Sequence, residues 1–194
     1  MSNIVTIVAK GPSAIHAQKW IDACPGSDVA IINEAGLLLR KNQPIRFCFF
    51  CHARFMPLAR PLWGRTMCFV SPAELIGSQK LPRGFPEHKR IRYAGNKCGG
   101  NREALRTRLQ AGGVPHNHTM TAAMSWLAKI GYKRIRIIGV GGQGYARGLV
   151  GQPNLPANPG AWLAVERTLT ELLRELYGVK VERFHASNHP RKGK

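Results

Sequence analysis

The 194-residue chain carries 29 Lys and Arg against 10 Asp and Glu, a formal net charge of +19. A field of that sign attracts polyanions, so nucleic acid is the default partner and small phosphate-bearing ligands are the alternative. No apolar run approaches the ~18 residues of a membrane span, and no charged, cleavable leader precedes the first apolar run. Five cysteines, an odd number, are expected to be reduced, which with the missing leader predicts a cytoplasmic protein.

The first element is the apolar, β-branched run Ile4 to Ala9, which ends in Lys10-Gly11-Pro12-Ser13. A helical pattern, 14 to 24, follows at once, so the stretch predicts strand, tight turn and helix N-terminus. Gly11 allows a close backbone turn, Pro12 presets φ, and Ser13 is placed to cap the helix. Free N–H groups at such a helix start attract anions, and Lys10 adds charge beside them. The turn is therefore read as a phosphate site for a nucleotide, against the plainer reading of a capped βα turn.

Asp28 to Asn33 predicts a second buried strand, ending at Asn33-Glu34. In an open parallel sheet ligands sit outside the carboxyl ends of the strands, which brings Asn33 and Glu34 to the edge that holds Lys10 and Ser13. Arg46 to His52 predicts a third strand. Its Cys48-x-x-Cys51-His52 sequence matches the spacing for haem attachment, but a strand sends Cys48 and Cys51 to opposite faces. Two buried structural cysteines are the better reading, with His52 kept as a strand-end candidate. Residues 65–70 predict a fourth short strand.

Residues 71–100 read as a long irregular loop rich in Pro, Gly and cations. Arg83, Lys89, Arg90, Arg92 and Lys97, followed by Arg102 and Arg106 on a helix, alternate with Phe85 and Tyr93. Basic side chains among aromatics suit phosphate contact plus base stacking. The alternative is a solvated basic loop.

Further on, 121–130 predicts a helix capped by Thr119 or Asn117 and stopped by Gly131. A strand over 134–140 runs into a glycine-rich end, with Gly139 and Gly141 facing the same edge. A second proline-marked loop leads to a helix from Gly160 or Ala161 to Tyr177, then a strand over 179–184. Residues 189–194 form a basic tail beyond a single domain, 1–188. The expected fold is α/β, a three-layer Rossmann-like arrangement with a mostly parallel sheet and long basic loops.

The Gly11-Pro12-Ser13 turn, together with Gly131-Tyr132-Lys133 ahead of a strand that ends in Gly139, resembles the small Rossmann-like transferases. These include the bacterial metal-independent sialyltransferases, the archaeal 6-hydroxymethylpterin pyrophosphokinase-like proteins and phage relatives of both. The resemblance implies that Gly11, Pro12, Ser13 and Asn33 hold a nucleotide, that Thr119 beside His118 touches nucleotide or sugar, and that Tyr145 meets the leaving phosphate. Lys10 stands where the family has asparagine. Residues 146–161 contain no histidine, so the base of that family has no counterpart, and His52, His118 and His185 become the candidates.

The chain has two aspartates, Asp22 and Asp28, and no Asp-x-Asp pair. A two-carboxylate magnesium site is hard to build from them, and a metal-independent reaction without a cofactor is expected. The expected function is that of a glycosyltransferase-like enzyme with a nucleotide-activated donor and a nucleic-acid (DNA) or other polyanionic acceptor. A non-catalytic nucleic-acid-binding protein on the same scaffold is the alternative.

Overall fold

A computed structural model describes residues 2–77, 80–96, 100–115, 117–140, 146, 149 and 159–184. In chain order the strands are β1 (Ile4–Val8), β2 (Asp28–Ile32), β3 (Ile45–Phe49), β4 (Thr66–Pro72), β5 (Arg90–Tyr93), β6 (Gly95–Asn96), β7 (Val114–Pro115), β8 (Arg134–Ile138) and β9 (Lys180–Phe184). The α-helices are α1 (Ala17–Asp22), α2 (Arg102–Gln110), α3 (Thr119–Lys129) and α4 (Pro159–Tyr177). Seven strands form one sheet in the order β5-β4-β3-β2-β1-β8-β9. Every pairing in it is parallel.

β1 is hydrogen-bonded on both sides, to β2 and β8, and layers cover both of its faces. That burial explains why it reads as a continuous apolar run rather than an alternating one. Val5 and Ile7 face the core under α2, α3 and α4, whereas Val8 faces the core under α1, as the period of two requires. Phe47 and Phe49 share the α3 side, edge-on to Trp126 with centroids 5.3 and 5.7 Å apart. Cys48 points the other way and is fully buried. The expected burial of both cysteines holds, although Cys51 lies beyond the end of β3.

The two covering layers differ in kind. One is built from α2, α3 and α4. The other is α1 with short 3-10 helices at Pro12–His16, Asn33–Leu38, Ala53–Phe55 and Arg60–Leu62. The predicted helix over 14–24 is thus a 3-10 turn followed by a six-residue α-helix.

The described part of 71–100 is also more ordered than its composition suggests. It holds β5, which pairs with β4 from Phe69↔Arg90 to Pro72↔Tyr93. β5 is an edge strand that buries Tyr93 and is tied to β4 by Arg90. Arg90 donates to the Ser71 hydroxyl at 2.8 Å and to the Pro72 carbonyl at 3.1 Å. The opposite edge, β9, carries Lys180, Glu182 and Arg183. Charged residues on both outer strands disfavour edge-to-edge association.

Candidate nucleotide site at the carboxyl edge of the sheet

Strand order reverses at β1. The chain leaves it through β2 to β5 on one side and returns as β8 and β9 on the other. The crevice outside the carboxyl ends of β1 and β8 is therefore the topological switch point, where ligands of open α/β sheets bind.

The two strand ends are stitched together there. The Ala9 N–H donates to the Ile138 carbonyl at 2.8 Å and the Gly11 N–H to the Gly139 carbonyl at 2.7 Å. Gly139 has φ of +83°, and a Cβ on it would lie 2.6 Å from the Ala9 carbonyl oxygen. Only glycine permits that approach. The Ser13 hydroxyl accepts from the Gly139 N–H at 3.1 Å.

Two expectations for the turn need correction. Ser13 does not cap the following helix: Gly11 is the cap residue, no side chain caps that end, and the Ser13 hydroxyl is spent across the crevice. Nor does the turn open a full α-helix, because five residues of 3-10 helix come first. The dipole behind it is correspondingly short.

Lys10 is not a bare charge beside the turn either. It is buried, and its Nζ lies 2.7 Å from Glu34 Oε1 with side chains 8% and 1% exposed. The same ammonium sits 4.7 Å from the centroid of the Phe55 ring, a cation–π distance. The Lys10 carbonyl accepts the Ala146 N–H at 2.7 Å.

Asn33 starts the turn after β2 with φ of +53°, the one non-glycine residue in the left-handed region among those described. Its Oδ1 and the second Glu34 oxygen, Oε2, are buried without a hydrogen-bond partner among the described residues. Native structures seldom leave buried acceptors unmatched. Two at one strand end, on a strained backbone, mark the place.

The other half of the edge lies toward α3. Cys51 is buried beyond β3, with its thiol pushed up to about 11 by desolvation while hydrogen bonds with Thr119 and Tyr93 pull it down. Burial also raises the Tyr93 hydroxyl. Thr119 is thus tied to the end of β3 and sits in the first turn of α3 rather than at its cap. The cap is His118, whose Nδ1 accepts from the Thr121 N–H at 3.3 Å while the Thr121 hydroxyl closes a capping box. An imidazole that accepts through Nδ1 carries its proton on Nε2, so His118 is a cap rather than a ready base. Its ring stacks on Trp162, centroids 5.3 Å apart and planes 27° apart. His52, half-buried, packs edge-on to Phe55 between the two halves. In sequence Trp162 is one of several apolar residues at helical spacing on α4 and Phe55 does not stand out; neither carries a local signal for this role.

Most of the predicted nucleic-acid contacts are engaged within the protein. Lys89 donates to the Trp63 and Thr66 carbonyls at 3.2 and 3.0 Å. Arg90 and Arg92 both meet Glu87, at 3.1 and 2.5 Å. Arg102 pairs with Glu171 and Glu175, and Arg106 with Glu175, tying α2 to α4. Arg83 is exposed. Lys97, Gly141, Tyr145, His185 and the 189–194 tail lie outside the described residues. Among the described residues no group of three or more His, Cys, Asp or Glu is placed to hold a metal ion, and no helix is long and apolar enough to cross a membrane.

No protein-family model matches the chain, and neither a curated protein nor a solved structure matches it.

Proposed function

We propose that the carboxyl edge of this sheet binds a nucleotide and that the protein is a glycosyltransferase-like enzyme using a nucleotide-activated donor, with a nucleic-acid acceptor. The observation that carries the reading is the pair of unmatched acceptors, Asn33 Oδ1 and Glu34 Oε2, at the end of β2 beside the β1–β8 crevice. Acceptors that have paid desolvation gain most from a ligand that brings donors, and ribose hydroxyls or a base amino group are such donors. The acidic end of the second strand is where Rossmann-like domains meet the ribose.

In this reading Lys10 holds Glu34 in place through the 2.7 Å ion pair and is a positioning residue. The donor's phosphates lie toward Gly11, Pro12 and Ser13, drawn by the protein's net positive field. His52 is the base that takes the acceptor's hydroxyl proton, while negative charge develops on the leaving phosphate. The reaction draws on no metal or other cofactor.

The test is a thermal-shift titration with the four ribonucleoside monophosphates and a panel of nucleotide sugars. A ligand at a hundred times its Kd stabilises by about 2.7 kcal/mol, which raises Tm by about 5–10 °C for a chain of this size. No shift with any member of the panel overturns the proposal. Oligonucleotide binding without any nucleotide shift supports the non-catalytic alternative, which the +19 net charge favours.

A further inference from the structure

The apolar stripe of α4 runs through Trp162, Val165, Leu169, Leu172, Leu173 and Leu176. Leu169, Leu172 and Leu173 are fully buried, whereas Trp162, at the head of the stripe, is 46% exposed. The stripe therefore runs one turn past the core, and among the described residues its overhanging ring has one partner plane, His118. His118 is itself fixed by the capping box of α3. An indole held by a fixed ring is a rigid platform that loses little entropy when something stacks on it.

Its surroundings favour an anionic ligand. A Cβ on Gly100 would lie 2.9 Å from Val165 and 3.8 Å from the Asn117 amide, so the residues leading into α2 and α3 both pack beside the first turns of α4. Three helix N-termini, each carrying a partial positive charge, meet around the stack. The chain as a whole is at +19.

We infer that Trp162, backed by His118, is a stacking platform for one base of a single-stranded nucleic acid, whose phosphates lie toward the N-termini of α2, α3 and α4. Base-on-aromatic stacking inside a positive field is how single strands are held without sequence readout. The platform lies on the α3–α4 side of the carboxyl edge and the Asn33–Glu34 acceptors on the α1 side, so acceptor and donor would approach His52 from opposite layers. This division of the edge rests on the nucleotide reading above; the platform does not.

The test is fluorescence anisotropy of labelled 12-mer DNA and RNA with the whole chain at fixed salt. Trp162→Ala is expected to weaken binding about 5- to 150-fold, with Trp162→Phe within about threefold of wild type and far-UV circular dichroism unchanged in both. Oligonucleotide quenching of tryptophan fluorescence should shrink in Trp162→Phe, because Trp20 and Trp126 are buried and Trp63 is half-buried. Equal affinity of Trp162→Ala and wild type overturns the inference. So does equal affinity for a 12-mer with abasic sites, which would leave charge alone as the attraction, or an absence of single-strand binding by the wild type. A nucleotide-induced Tm shift that survives in Trp162→Ala, beside lost oligonucleotide binding, supports both sites. Loss of that shift in the wild type overturns the donor site and leaves the platform standing.

Discussion

Replacing Asn33 by glycine separates the ligand role of this residue from its role in the fold. The backbone at +53° is strained for an L-residue, by about 1 kcal/mol for asparagine, and glycine removes that strain. Removing the buried, unmatched Oδ1 recovers a further ~1–3 kcal/mol of desolvation. Against this stand about 0.5–1 kcal/mol of added chain entropy in the unfolded state and roughly 1 kcal/mol of lost contact for a residue 6% exposed. The sum lies between no change and a gain of about 2 kcal/mol, or up to about 8 °C in Tm. Nucleotide affinity should meanwhile fall at least about tenfold, since a donor on the ligand is left without its acceptor. Urea unfolding and isothermal titration of the same preparation measure both. A loss of stability greater than about 2 kcal/mol would refute the reasoning, because the side chain would then be serving the fold.

The Lys10–Glu34 pair is buried on both sides, so Lys10→Met alone should cost about 3–5 kcal/mol by stranding the carboxylate, and Lys10→Met with Glu34→Met should recover most of it. Recovery of less than half in urea melts would argue against a simple buried pair. Burial raises the thiol of Cys48 well above the ordinary range and that of Cys51 to about 11. Iodoacetamide at pH 8 should accordingly label the half-exposed Cys24 and Cys68 in the native protein and spare Cys48 and Cys51, read by peptide mass mapping. Glu166 on α4, opposed by Arg183 at 2.9 Å, is raised mainly by desolvation, with Arg183 pulling it down. A carboxyl whose folded value exceeds its unfolded one binds its proton more tightly when folded. Its contribution is therefore full below the unfolded range and is lost as pH rises through the folded value. Urea midpoints from pH 4 upward should fall less steeply in Glu166→Gln than in wild type, and parallel curves would contradict this.

The central strands were legible because they are buried on both faces: Val5-Thr6-Ile7-Val8 and Val29-Ala30-Ile31-Ile32 are short, mostly β-branched apolar runs bounded by turn residues, the pattern of interior parallel strands. β5 was not legible. Arg-Ile-Arg-Tyr alternates over only four residues within a Pro- and Gly-rich stretch, and Arg90 serves as scaffold through hydrogen bonds that no local pattern encodes. The site was half legible. Topology alone brings Lys10, Asn33 and Gly139 to one edge, since parallel strands end on the same side. Which side chains then meet is a matter of rotamers and distance. The partnership of Lys10 with Glu34, 24 positions away, and of Ser13 with Gly139, 126 positions away, lies beyond sequence spacing. The same limit hides from the sequence that Lys89, Arg90, Arg102 and Arg106 meet carbonyls or carboxylates of the protein itself.

The central position of β1 also bears on how the chain reaches this structure. Ile4 pairs with Arg134, 130 positions later, so β1 waits for a strand synthesised well after it. At about 5–20 residues per second that interval is roughly 7–26 s. Throughout it, β1 can pair only on its β2 side, and its other row of amides and carbonyls stays open. A strand as apolar as Ile-Val-Thr-Ile-Val with an open edge is a hazard for association between nascent chains. Yield of soluble protein should then depend on the pace of synthesis as much as on the stability of the finished fold.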